Sequence, residues 1–213
     1  MVKSRNAPDQ SRAPRATKPV GRMDTREKLV RTAEKLMLRD GYSATRVDEV
    51  IRKAGLSKGS FYHFFESKEA LGLAALEHYY TDRVGRLGAG TYATEADPLR
   101  RAQGFLKHAS HVAADLWTTG CLLASLSADA AGSNQAISNA LKKRTSDLRA
   151  LLVDLLGPFA TPALNATDLA DQFLVCIEGS IVLARIYDDP TYLRRGLEQF
   201  RNCLRKNTEV RRA

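Results

Sequence analysis

The chain has 213 residues, a formal net charge of +9 and a hydrophobic fraction of 44%. This length and apolar content suffice for one large or two small domains with a buried core. No run of eighteen apolar residues exists, so no membrane-spanning helix is predicted, and three scattered cysteines without a C-x-x-C motif exclude a zinc-finger or disulfide framework. Residues 1–66 hold seven of the nine surplus positive charges, which predicts a polyanionic partner at the N-terminal end.

Residues 1–22 form a basic arm that is rich in Pro, Ser and Ala and contains six Lys or Arg residues against the single acid Asp9. Its composition predicts disorder. Two interpretations stay open: the arm follows a phosphate backbone or enters a minor groove, or it is a solubilising tail. Because it lacks the apolar segment of a secretory signal, we expect a cytoplasmic protein.

Two helices are predicted after the arm. Apolar residues at helical spacing indicate the first over residues 25–39 and the second over about residues 46–54. Thr45, with Asp48 three residues later, has the pattern of a capping box at the start of the second helix.

A short third helix is predicted from Lys58 to about Phe65, because Gly55 supplies a left-handed helix end and Ser57 supplies a cap. Two helices joined by about three residues that include a glycine form a helix-turn-helix. Phe61 is spaced to point inward. Groups that hydrogen-bond phosphates or base edges are expected on the outer side, namely Lys58, Ser60, Tyr62 and His63. Gly59 in the first turn predicts a close approach to the backbone, as by a phosphate at a helix N-terminus.

The segment Ala-Gly-Leu-Ser-Lys-Gly-Ser-Phe-Tyr-His-Phe-Phe at 54–65, followed by Ser-Lys-Glu-Ala-Leu at 67–71, resembles the tetracycline-repressor (TetR) family of bacterial transcription regulators. The resemblance covers roughly the first third of the chain after the arm. It implies a homodimer whose N-terminal helices bind operator DNA and whose C-terminal helices bind a small molecule that releases it. It also implies phosphate contacts from Thr45, Arg46 and Lys68. The remaining DNA contacts that it implies are at Ser57, Lys58, Gly59, Ser60, Tyr62 and His63.

Downstream, a long helix from Lys68 to about Leu87 is predicted to join the DNA-binding part to the rest of the chain. His108 and His111 share one face of the next helix, where they either hold a metal, line a cavity or lie on the surface. Trp117, the only tryptophan, is expected in the core or in a pocket wall.

Cys121 follows an interruption in the helical pattern, so its thiol is predicted at a helix N-terminus, where free amides lower a thiol pKa. It is either a reactive sensing residue or a small buried hydrophobe. The segment Gly120-Cys121-Leu122 also resembles a Gly-Cys-Leu segment that carries a sensing cysteine in some TetR-family members.

Two apolar helices are predicted near the C-terminus, one from Thr167 to Tyr187 and one after Pro190. Their apolar surface suits a four-helix interface in a two-fold dimer. Glu178 stands within an apolar run, where an unpaired carboxylate is unfavourable. Its partner is either Arg185 of a second subunit or an effector in a pocket.

We therefore expect an all-α protein of about nine helices. The predicted parts are a disordered arm (1–22), a helix-turn-helix DNA-binding domain (23–68) and a helical effector-binding and dimerisation domain (69–213). The predicted function is a ligand-responsive DNA-binding repressor, with a thiol switch at Cys121 as the alternative. The sequence contains no nucleotide-binding loop, metal-ligand set or nucleophile–base pair, so no cofactor, metal or enzymatic activity is expected. The candidate effector or sensing residues are Cys121, Trp117, His108, His111 and Glu178.

Overall fold

The computed structural model describes residues 24–130 and 134–210, and in this part of the chain the regular structure is helical. The predicted basic arm lies outside the described residues. The helices are α1 (Thr25–Asp40), α2 (Val47–Ala54), α3 (Lys58–Phe64), α4 (Lys68–Gly88), α5 (Pro98–Val112), the single turn α6 (Leu116–Thr119), α7 (Leu122–Ala130), α8 (Gln135–Leu156), α9 (Ala166–Tyr187) and α10 (Thr191–Val210). The predicted all-α fold of about nine helices is confirmed, since nine of these segments are longer than one turn. No helix within the described ranges has the length and apolarity needed to cross a membrane.

The first three helices have the boundaries that their end signals predict, with one exception. Gly55 ends α2 in the left-handed conformation, with φ of +63°, and the hydroxyl of Ser57 accepts the Ser60 amide at the start of α3. The predicted capping box at Thr45 is wrong. Helix α2 begins at Val47 without a side-chain cap, and the Thr45 hydroxyl instead donates to the Gly41 carbonyl, 2.7 Å away.

Two hydrophobic clusters form the core of the protein. The first joins α1–α4 to apolar residues of α7 and α8, including Leu122, Leu126 and Ile137. The second lies between α5, the C-terminal half of α8, α9 and α10. We call helices α1–α3 the three-helix head. The head does not have a core of its own, because side chains of α7 and α8 complete it.

Helices α9 and α10 pack closely along their length. The predicted apolar stripe of α10 is buried in this contact, at Leu193, Leu197, Phe200 and Leu204. Helix α9 in contrast keeps large apolar side chains at the surface, with exposed fractions from 42% to 72%. These are Val175, Val182, Leu183, Ile186 and Tyr187, which we call the α9 face. The α9 face is the kind of surface that soluble proteins cover with another chain.

Candidate DNA-reading surface and effector cavity

Helix α3 presents a polar surface above a fully buried anchor. Phe61 is 0% exposed, and its ring lies edge-to-face with the ring of Tyr62 at a centroid distance of 5.1 Å. Tyr62 is 62% exposed, and His63 also faces solvent. The buried phenylalanine fixes the rotation of α3 about its axis, so polar side chains on the opposite side project away from the protein, as a major-groove helix requires.

The N-terminal turn of α3 is open to solvent. Ser57, Lys58 and Gly59 are all exposed. A Cβ on Gly59 would have only the Ser57 Oγ nearby, at 3.8 Å, so nothing in the protein requires a glycine there. The space in front of this turn remains available for a phosphate or a base edge.

Lys58 is paired within the protein. Its Nζ lies 3.0 Å from the Asp48 carboxylate, and both side chains are more than 70% exposed. The hydrogen bond and charge of Asp48 raise the pKa of the lysine above its ordinary value. Asp48 was not among the candidate site residues of the sequence analysis, because the contact crosses the turn between α2 and α3.

Two of the expected phosphate contacts have other partners. Thr45 is 1% exposed and its hydroxyl is already bonded, so the expected phosphate contact is corrected to a structural role in the α1–α2 loop. The Nζ of Lys68 donates to the Ser43 carbonyl at 3.0 Å and lies 4.6 Å from the centre of the Tyr42 ring. Burial lowers the pKa of Lys68. Arg46, in contrast, is exposed.

Between α4, α5, α8 and α9 lies a cavity of about 100 Å³. Apolar side chains supply most of its wall, and its polar lining consists of Tyr79, Arg83, Cys121 and Glu178. Glu178 therefore faces a cavity, which is one of the two arrangements considered for it. Within the described residues no ion pair joins Glu178 to Arg185 of the same chain, and the Arg185 Nη1 lies beside Gly120.

Cys121 occupies the N-cap position of α7, because its carbonyl accepts the first helical hydrogen bond, from the Ser125 amide at 3.0 Å. Its thiol lies beside the Ala124 amide, the Tyr79 hydroxyl and the Glu178 carboxyl. The predicted low pKa is wrong. Burial, followed by the charge of Glu178, raises the pKa of the Cys121 thiol to about 12 despite the helix N-terminus. Burial likewise raises the pKa of the Glu178 carboxyl.

The other candidate effector residues lie away from this cavity. His108 Nε2 is bonded to the Arg86 carbonyl at 2.7 Å, and His111 Nδ1 to the Lys107 carbonyl at 2.9 Å. Neither histidine lines this cavity: His108 is partly buried, with its ring centre 5.7 Å from that of Tyr92, and the exposed His111 lines a separate groove between α5 and α10. In the described residues no group of three side chains has the placement of metal ligands. Trp117 was expected in the core or a pocket wall, but it is only partly buried, and its neighbour Leu116 lines the cavity instead.

Helix α7 connects the cavity with the candidate DNA-binding helices α1–α3. At its N-terminus Cys121 lines the cavity, and one turn along the Ser125 hydroxyl donates to the carbonyl of Met37 near the end of α1, at 3.0 Å. A further turn along, the Asp129 carboxylate accepts the Ser43 amide at 3.2 Å. The 121, 125, 129 spacing places all three groups on one side of the helix. No local sequence pattern marks Ser125 or Asp129, since their partners lie more than 80 residues away.

Comparisons with known proteins agree with this arrangement. The sequence profile of the bacterial regulatory proteins of the tetR family matches residues 29–75, and that of the LmrA/YxaF-like transcriptional regulator C-terminal domain matches residues 98–199. The HTH-type transcriptional repressor NemR of Escherichia coli K12 is 34% identical over 134 residues, which cover 62% of this chain and 67% of NemR. The chain belongs to the TetR family.

Solved TetR-family structures extend the similarity over most of the molecule. The reduced form of E. coli NemR superimposes with a TM-score of 0.73 and 27% identity, covering 84% of this chain and 96% of that one. A regulatory protein TetR from Rhodobacter sphaeroides superimposes with a TM-score of 0.70 and 25% identity, covering 83% and 96%. Both domains of this TetR-family regulator therefore have the arrangement seen in its relatives.

Proposed function

We propose that this TetR-family regulator is a homodimeric repressor and that a small molecule bound in the cavity releases it from its operator. The observation that carries the proposal is helix α3, whose exposed polar side lies opposite the buried Phe61. In a dimer, two such helices would enter the major groove at half-sites roughly 34–36 Å apart. Because its operator is bacterial DNA, we place the protein in the cytoplasm, and we propose no turnover of a substrate.

The proposed base-edge contacts are Lys58, Gly59, Ser60, Tyr62 and His63. Arg46 and Ser57 are the proposed phosphate contacts, together with the Lys68 donors that Ser43 leaves free. We assign DNA binding to residues 23–68, and effector binding and dimerisation to residues 69–213. The α9 face supports the second assignment, because its large exposed apolar residues suit contact with a second copy.

Release is proposed to pass through α7 as well as α4. A ligand in the cavity contacts the N-terminal end of α7, whose Ser125 binds the end of α1 and whose Asp129 binds the α1–α2 loop. A ligand that binds more tightly when α7 is shifted stabilises that shifted conformation. In it the two heads of the dimer no longer match both half-sites, so the fraction of protein bound to DNA falls.

Footprinting on the upstream DNA of its own gene, followed by a salt titration on the protected duplex, tests DNA binding. Several phosphate contacts should give a log–log slope of affinity against salt steeper than about −4. Arg46→Gln should make that slope shallower by about one, whereas Lys142→Gln on the exposed side of α8 should leave it unchanged. A slope near zero would contradict the proposed function.

The second candidate is a thiol switch at Cys121. It is supported by the position of the sulfur, which lines the cavity and caps the helix that reaches the head. The related NemR was crystallised in a form named as reduced, which also fits a thiol with more than one state. If electrophiles release the DNA from the wild type but not from Cys121→Ser of equal operator affinity, the thiol switch is correct. Retained release in that variant would exclude it.

A further inference from the structure

One nitrogen of a cation that lines the cavity has no hydrogen-bond acceptor in the described part of the chain. Arg83 on α4 lines the cavity, and its Nη1 is buried without a hydrogen-bond acceptor among the described residues. The guanidinium carbon lies 5.3 Å from the centre of the Tyr79 ring, which holds the side chain against α4. A guanidinium stays charged at all physiological pH values, so a buried N–H without an acceptor is unfavourable until an oxygen reaches it.

The carboxyl groups of the protein do not supply that oxygen. No ion pair joins Arg83 to an acidic residue anywhere in the ranges 24–130 and 134–210. Among the described residues that line the cavity Glu178 is the one acid, and its carboxyl lies beside the Cys121 thiol and forms no ion pair with Arg83. The Nη1 of Arg83 is therefore left to bind an acceptor on a molecule in the cavity.

The volume and lining restrict that occupant. A cavity of about 100 Å³ is somewhat smaller than the roughly 150 Å³ apolar cavity that accepts benzene in another protein. Eleven of its fifteen lining residues are aliphatic or phenylalanine, Leu152 and Phe173 among them. The occupant is thus about the size of benzene or smaller, and most of its surface is apolar.

We propose that the effector is a small monocarboxylate whose carboxylate binds Arg83 and whose apolar part packs against Leu152 and Phe173. The inference rests on the proposed function, in which this cavity is the effector site. An amine would add a second positive charge beside Arg83, and a hydrocarbon would leave the guanidinium unpaired. Inorganic phosphate would place charged oxygens against the apolar wall. A carboxylate matches the planar donor geometry of arginine and leaves the apolar wall in contact with carbon.

Calorimetric titration of the full-length protein with matched probes tests the inference. The probes are propionate and butyrate, neither with more non-hydrogen atoms than benzene, each compared with its neutral amide of the same shape, propionamide and butyramide, and with butylamine. We expect each acid to bind at least tenfold more tightly than its amide, and butylamine not to bind. Arg83→Met should reduce affinity for the acids about ten- to hundredfold and leave affinity for the amides nearly unchanged.

Arg86→Met is the matched control, because Arg86 lies on the same helix but is exposed and paired with Asp82. It should bind the acids like the wild type. Equal affinity for acid and amide would overturn the inference, as would full acid affinity in Arg83→Met. If Arg83→Met does not fold, the difference in affinity of the wild type for acid and amide still tests the inference.

Release of the footprinted duplex separates this inference from the proposed function. Release by the acids but not by their amides supports both. Release by amides as readily as by acids leaves the cavity as an effector site and overturns only the carboxylate inference. Failure of acids, amides and small electrophiles alike to bind the protein or release the duplex would contradict the proposed function itself.

Discussion

At the scale of single residues, an ion pair within the head has to rearrange when Lys58 contacts DNA. Lys58 is bonded to Asp48 in the free protein, so contact with a phosphate or a base requires this exposed ion pair to open or to be shared. Exposed pairs of this kind contribute little to stability, and an opening of the pair is easily compensated by a DNA contact. The negative charge of Asp48 therefore lowers the positive electrostatic potential at the exposed side of α3.

Asp48→Asn is expected to raise affinity for duplex DNA and to steepen the salt dependence by up to about one counterion, because it removes a negative charge and frees Lys58. The measurement is a fluorescence-anisotropy titration at several salt concentrations. Asp147→Asn is the control, since Asp147 is paired with Lys143 on α8, away from the reading surface. Unchanged or weaker binding by Asp48→Asn would show that the ion pair orients α3 rather than restraining Lys58.

Cys121 yields a prediction about reactivity and pH. A thiol with a pKa of about 12 is almost wholly protonated at pH 8, so alkylation by iodoacetamide should be slow there and rise about tenfold per pH unit up to that pKa. Glu178→Gln removes the carboxyl charge that helps to raise this pKa. It should therefore speed labelling at pH 8 at least severalfold.

Peptide mass spectrometry measures labelling at each cysteine, with Cys203 as the internal control. Cys203 is exposed and should react at the same rate in both proteins. Fast labelling of wild-type Cys121 at pH 7, comparable with that of Cys203, would contradict the protonated thiol described above. An unchanged rate in Glu178→Gln would leave burial alone as the cause.

At the scale of elements, local signals predicted helix ends well and contacts between helices poorly. Gly55 and Ser57 define the turn between α2 and α3 as the sequence indicated, because their partners lie within a few residues. Thr45 failed as a cap because the carbonyl of Gly41 competes for its hydroxyl. The prediction of a low pKa for Cys121 failed for a related reason, since its burial and the nearby charge of Glu178, 57 positions away, both arise from contacts that no local pattern shows.

The α1–α2 loop provides the test at this scale. Gly41 has φ of +87° and ψ of 163°, a region that is nearly restricted to glycine, and a Cβ there would collide with the Asp129 carboxylate. Gly41→Ala should lower the free energy of unfolding by about 1–3 kcal/mol and weaken DNA binding, because it disturbs the bond between Asp129 and Ser43. Chemical denaturation and anisotropy measure the two effects.

Gly85→Ala is the matched control for that substitution. Gly85 lies within α4 with nothing within 4 Å of an added Cβ, so alanine should stabilise the protein by about 0.5–1 kcal/mol. If Gly41→Ala were as stable as the wild type, the loop would adopt a different conformation from the one described here.

At the scale of the whole molecule, the α9 face predicts the assembly. Leu183→Glu places a charge in the middle of that apolar surface, so we expect a dimer to dissociate into folded monomers and operator affinity to fall at least tenfold. Sedimentation velocity and circular dichroism measure assembly and fold. Ala150→Glu, at an exposed position on α8, should change neither. A wild-type chain that sediments as a monomer at micromolar concentration would contradict the assignment of this face.

The first hydrophobic cluster also limits how such regulators can be recombined. Since Leu122, Leu126 and Ile137 complete the interior of the three-helix head, an excised fragment ending after α4 would expose that interior to water. A chimera that transplants the head onto a different regulator must also match the side chains of α7 and α8 that contact it. New operator specificity in this scaffold is therefore obtained more safely by exchanging the solvent-facing side chains of α3 than by exchanging the head as a cassette.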